Sequence, residues 1–216
     1  MYLPPYHQFT DRDGLFALIN AHRLGTWVCQ GANGLIANHL PFVLDLQQGP
    51  HGTLLGHVAR GNGVWRELHP HTPSVVAFQG PQAYITPGWY PGKAEHGRVV
   101  PTWNYVAVHA HGVARVVDDR DVLLDLLTRL TDAQEARQAV PWRVADAPAD
   151  FIESLLRAVV CIEIPITRLE GRLKASQDEA RADREGTVRG LRARGHAADH
   201  ALADWVQNAL DNDPAT

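Results

Sequence analysis

The stretch VVPTWNYVAVHAHGVARVVDD, residues 99 to 119, sets Trp103, Asn104 and Tyr105 ahead of an alternating run that carries His109 and His111. Aromatic rings beside a carboxamide suit a flat heteroaromatic ligand, which the rings can stack on while the amide bonds its heteroatoms. The same aromatics could instead fill a subunit interface. In GHVARGNGVWREL, a strand runs into a helix and gathers Arg60, Asn62 and two glycines at one point. Free N–H groups and a guanidinium there favour an anion such as a phosphate, although an ordinary glycine turn with a solvated arginine reads the same way. KASQDEARADR supplies Lys174, Ser176 and Gln177, three donors that could hold a phosphate or a heterocycle edge, or simply cap the next helix.

Metal and nucleophile chemistry find less support. His109 and His111 face one side of a strand, and His57 or His39 could join them, but no carboxylate is spaced as a third ligand, so no metal is expected. There is no G-x-S-x-G elbow. Cys29 and Cys161 sit in the apolar runs TWVCQ and VVCIEI, the setting of buried free thiols.

The elements that must position these groups are mainly strands. Asp13 is read as the N-cap of an amphipathic helix to His22. Strand-like runs follow at 25–30, 35–46, 52–58, 74–79 and 105–117, with a short helix near 62–68. The gaps are too short for crossover helices, so an antiparallel barrel or sandwich is expected. Asp118 or Asp119 opens a long helix, a short one lies near 150–158, and the run from Val159 reads as a last long strand with Pro165 as a bulge or edge. From Asp178 onward, Gly186, Gly190 and Gly195 each weaken the helical pattern, which predicts a broken helix pair. The aromatics Tyr84, Trp89, Tyr90, Trp103 and Tyr105 are placed in a Gly/Pro-rich loop.

Composition bounds the rest. The chain has 216 residues, 45% of them hydrophobic, and a net charge of −4, which offers no overall basic field for nucleic acid. Only Arg181, Arg184, Arg189 and Arg192 cluster, within an arc of roughly 140° on a helix, the one candidate DNA contact. No apolar run is long enough to cross a membrane and no export signal is read, so a cytoplasmic protein is expected.

MYLPPYHQFTD, GLIANHLPFVLD, GHVARGNGVWREL, the run from FQGPQAYITPGWY to HAHG, and LEGRLKASQ occur in this order. Together they resemble the FMN-binding negative transcriptional regulators of the PaiB type, over residues 1 to about 191. The resemblance implies a mainly β, α+β fold: an antiparallel FMN-binding split barrel over 1–176 with flanking helices, and a helical C-terminal extension over 177–216. It implies a homodimer with FMN at the subunit interface. By that analogy Arg60, with His57 and Asn62, meets the flavin phosphate; Asn38 and His39 contact the ring edge; Trp103, Asn104 and Tyr105 border the ring; and Lys174, Ser176 and Gln177 complete the site. The alternative within the superfamily is a flavin-dependent oxidoreductase or a haem-degrading monooxygenase.

Overall fold

The computed structural model describes residues 1–212. Among them are nine strands and six helices. In chain order these are β1 (Gln8–Phe9), α1 (Arg12–Ala21), β2 (Leu24–Gly31), β3 (Gly34–Pro41), β4 (Val43–Asp45), β5 (Thr53–Ala59) and β6 (Pro73–Ile85). There follow α2 (Gly92–Glu95), β7 (Thr102–Val113), β8 (Arg115–Val117), α3 (Arg120–Glu135), α4 (Ala149–Leu156), β9 (Val159–Lys174), α5 (Arg181–Arg194) and α6 (Ala197–Asp211). The sheet runs β3-β2-β6-β7-β9-β5-β4, with β1 and β8 also paired to β9. All registered pairs are antiparallel, as the short connections require. β3 ends the order and carries no lysine, arginine, aspartate or glutamate.

The chain divides into two compact units. The first comprises Met1–Leu15, Gln79–Val108 and the chain from Glu170 onward. Its core is Ala83, Ile85 and Tyr90 with Val188, Leu191, Leu202, Val206 and Leu210 of α5 and α6. The second comprises Phe16–Phe78 and His109–Leu169. There Leu123, Leu126 and Leu130 of α3 pack with Leu156 of α4 and with Val43, Leu55 and Cys161 of the sheet. Trp27, Phe42 and Phe78 are wholly buried, and the two phenyl rings meet edge to face at 6.0 Å.

Several boundaries differ from the sequence reading, each for a local reason. Asp11, not Asp13, accepts from the Gly14 N–H at 3.0 Å, so α1 begins at Arg12. The run 35–46 is two strands, because Pro41 has no N–H to continue the ladder and Phe42 instead donates to the Arg23 carbonyl at 2.9 Å. The run 105–117 breaks at buried Ala114. β6 continues past Pro81 because its alternation persists, with Ala83 and Ile85 buried and Gln82 and Tyr84 exposed. Tyr84, Trp103 and Tyr105 therefore lie on strands rather than in a loop.

The C-terminal helix pair is present, and the break falls at Gly195, whose φ of 78° closes α5 in the left-handed conformation. Gly186 and Gly190 are not weak points. A Cβ on Gly186 would stand 2.0 Å from the Trp89 carbonyl oxygen, and one on Gly190 would stand 2.1 Å from the Trp89 indole. These glycines let α5 close onto Trp89.

Candidate functional site

In the second unit the sheet brings Asn38 and Asn62 together. Asn38 lies on β3 directly across from Trp27 on β2. Asn62 caps the 3-10 turn Gly63–Arg66: its Oδ1 accepts from the Val64 N–H at 3.1 Å, and its Nδ2 donates to Asn38 Oδ1 at 2.7 Å. Both ends of the Asn62 amide are thus fixed. The Asn38 amino group is left buried without a partner. His39 is exposed, and its Nδ1 shares a hydrogen bond with Thr26 Oγ1 at 3.1 Å. His57, opposite Cys161 on β9, keeps a buried Nδ1 with no partner, and burial pulls its pKa below the ordinary value.

Arg60 follows β5 and is anchored on backbone carbonyls. Its Nε donates to the Arg157 oxygen at 2.8 Å and its Nη2 to the Val159 oxygen at 3.1 Å, while Trp65 Nε1 donates to the Arg60 carbonyl at 3.1 Å. These bonds hold the planar fork through Nε and Nη2.

In the first unit a second group of the expected residues is joined. Asn104 is wholly buried; its Nδ2 donates to Ser176 Oγ at 2.8 Å and its Oδ1 has no partner. Ser176 holds a φ of 59°, a conformation that costs a non-glycine residue energy and that the Asn104 bond helps retain. Lys174 Nζ donates to Thr102 Oγ1. Gln177 folds back, its Oε1 accepting from the Ala175 N–H and its Nε2 donating to the Leu173 oxygen, both at 2.7 Å, so its amide fixes the turn itself. Trp103 is half exposed, donates through Nε1 to Gln82 Oε1 at 2.9 Å and meets the Tyr84 ring at 6.4 Å. Tyr105 lies under the Arg172 guanidinium at 5.3 Å.

His7 is a neighbour that the sequence reading missed. Its ring is buried with Asp178 Oδ1 at 3.9 Å, and burial is the leading cause that lowers its pKa. Spacing gives no sign of it, since 171 positions separate His7 from Asp178.

The arginine arc is not one exposed cationic face. Arg184 is 3% exposed and donates to the Ala209 carbonyl oxygen at 2.7 Å, which corrects its reading as a surface contact. Arg181 pairs with Glu185 at 3.1 Å and Arg192 with Asp204 at 3.4 Å. Arg189 is exposed.

Residues 1–168 match the family model described as "Putative FMN-binding domain". The chain belongs to this FMN-binding family. The matched span includes the Asn38, His57, Arg60 and Asn62 region and stops short of Lys174. Among relatives of this family member is the "Protease synthase and sporulation protein PAI 2" of Bacillus subtilis, 29% identical over 97% of this chain and 98% of that protein. An uncharacterized protein of Emericella nidulans is 31% identical over 96% of each chain. The fold is that of the flavin split barrels. The FAD and heme binding protein from Mycobacterium smegmatis superposes with a TM-score of 0.60 at 20% identity, over 88% of this chain and 80% of that one. The flavocytochrome Anf3 from Azotobacter vinelandii gives 0.56 at 13% identity, over 80% and 72%.

The residues present fit a flavin, the family's cofactor. A flavin offers carbonyl and ring-nitrogen acceptors and a dianionic phosphate, and the second unit presents a buried amide donor without an acceptor at Asn38 and an anchored guanidinium edge at Arg60.

Proposed function

We propose that this family member binds FMN through Arg60, His57 and Asn62 at the phosphate and Asn38 and His39 at the ring edge, and that it acts as a negative regulator of transcription of the PaiB type. Trp103, Asn104, Tyr105, Lys174, Ser176 and Gln177 are the remaining contacts in this reading. The observation that carries flavin binding is the Asn62–Asn38 amide pair with its unpartnered amino group, beside the family match over the same residues. Bound FMN supplies one- and two-electron redox chemistry of its own. The protein's part is to orient the ring, neutralise the phosphate and exclude water.

The working form is a cytoplasmic homodimer. Support comes from the half-exposed Trp103 and Tyr84, which meet as an aromatic pair that a partner would cover, and from two buried free thiols suited to a reducing compartment. No helix among the described residues is long and apolar enough to cross a membrane. Residues 1–176 form the flavin-binding part and 177–216 the helical extension, of which 213–216 lie outside the described residues.

A second reading, a flavin-dependent oxidoreductase or haem-degrading enzyme that affects transcription indirectly, is favoured by the state of the arginine arc. With Arg184 buried and Arg181 and Arg192 paired, little free positive charge remains there for DNA. One experiment separates the two. Direct repression predicts promoter-fragment binding, read by fluorescence anisotropy, that weakens steeply with salt and loses slope on Arg189→Ala with Arg192→Ala. Absence of binding at about 50 mM salt, where electrostatic association is favoured, together with bleaching of bound FMN by NAD(P)H without oxygen, supports the enzyme reading instead.

A further inference from the structure

A groove of about 730 Å³ opens in the second unit along one stripe of α3. Leu124, Thr128 and Asp132 succeed one another at four-residue intervals on that stripe, and α4 faces them with Ile152. The connection between the helices supplies Val144 and Ala145. The middle of the groove is apolar, because the Thr128 hydroxyl donates to the Leu124 carbonyl at 2.8 Å and is thereby satisfied within its own helix.

Charge is confined to the ends and is unequal. At one end Arg120 is closed off by Glu153 and Asp121. At the other, the Asp132 and Glu135 carboxylates occupy the last turn of α3, at the negative end of the helix dipole. Glu135 accepts one bond, from the Trp142 N–H at 2.9 Å, and Arg143 is the one cation among the residues lining that end. The volume is that of a pocket for a drug-sized molecule. Among the residues lining the Asp132 end, two carboxylates face one guanidinium, so the charge balance there is negative.

We propose that this groove binds an amphipathic organic cation, with its apolar body along Leu124 and Ile152 and its ammonium group at Asp132 and the C-terminal turn of α3. The site is separate from the residues assigned to FMN and does not depend on that assignment.

The test uses the full-length protein with bound FMN and isothermal titration with three probes of equal chain length, each below its micelle concentration: decyltrimethylammonium, decanoate and neutral decanol. The cation is expected to bind saturably at one site and more tightly than the other two. Asp132→Asn, an exposed change, should weaken the cation by about three- to fivefold, the worth of a partly exposed charge pair, and leave decanol unchanged. Ala145→Trp, on the exposed connection, should fill the groove and abolish binding of all three, with the FMN spectrum as the check on folding. Tighter binding of decanoate, binding that survives Ala145→Trp in a folded protein, or no saturable binding of the cation would overturn the proposal.

Discussion

At the scale of single residues, Arg60 carries two duties, and they can be separated. Its Nε and Nη2 hold the Arg157 and Val159 carbonyls, while the Nη1 edge is the part assigned to phosphate. Arg60→Ala is expected to weaken FMN by about 1.5 to 3 kcal/mol, ten- to a hundredfold, and to leave riboflavin, which lacks the phosphate, nearly unaffected. Flavin fluorescence titration reads both, and equal losses would assign Arg60 to the fold alone. Three imidazoles, one buried and two half-buried, make a second prediction. His7, His22 and His57 all have pKa values lowered by burial from an ordinary 6.5. Below that value the unfolded chain takes up protons that the folded chain resists, so stability is present above about pH 6.5 and is lost as the pH falls toward the folded values. Thermal melts from pH 7.5 to 5 should show Tm falling, and His57→Gln should flatten the slope. The sequence made the polar groups of Arg60, Asn62 and Ser176 legible by type. It could not show that Asn62 bonds Asn38, because residues far apart in the chain meet only once the strand order is known.

At the scale of elements, α5 shows how a correct local rule can mislead. Glycine lowers helix propensity, and Gly195 does end the helix, yet Gly186 and Gly190 sit where a Cβ would overlap Trp89. The indole lies about a hundred positions earlier in the chain, so propensity alone had no access to it. Gly190→Ala should gain helix propensity and still destabilise by about 1 to 3 kcal/mol through overpacking. Chemical denaturation of that variant, and of Gly190→Ala with Trp89→Ala, should show a smaller loss from the glycine change when the indole is gone. A full-sized loss in both backgrounds would exclude Trp89 as the cause. The strands were legible through alternation wherever one face is buried. Their ends were not, because Pro41 stops one run through its missing N–H while Pro81 sits within β6 without stopping it.

At the scale of the whole molecule, the aromatic pair Tyr84 and Trp103 bears on assembly. Tyr84 is 46% exposed and Trp103 50%. Sedimentation at micromolar concentration should report a dimer, and Trp103→Glu should shift it toward monomer while its far-ultraviolet spectrum stays unchanged. A wild-type monomer would remove the interface from the proposed site. Composition and charge set the class of molecule, and the order of quoted motifs set the family, whereas the state of Arg184 and Arg192 depended on partners in α6 that only folding supplies. One further property concerns how the protein behaves when concentrated. β3 closes the strand order with a row of residues that includes Leu35, Ile36 and Ala37 and no lysine, arginine or acid. Such a margin lacks the usual guard against a stray chain adding itself as the next strand. Crowded preparations are therefore prone to form aggregates that begin there, and Leu35, 76% exposed, is the place where a single lysine would restore that guard without disturbing anything buried.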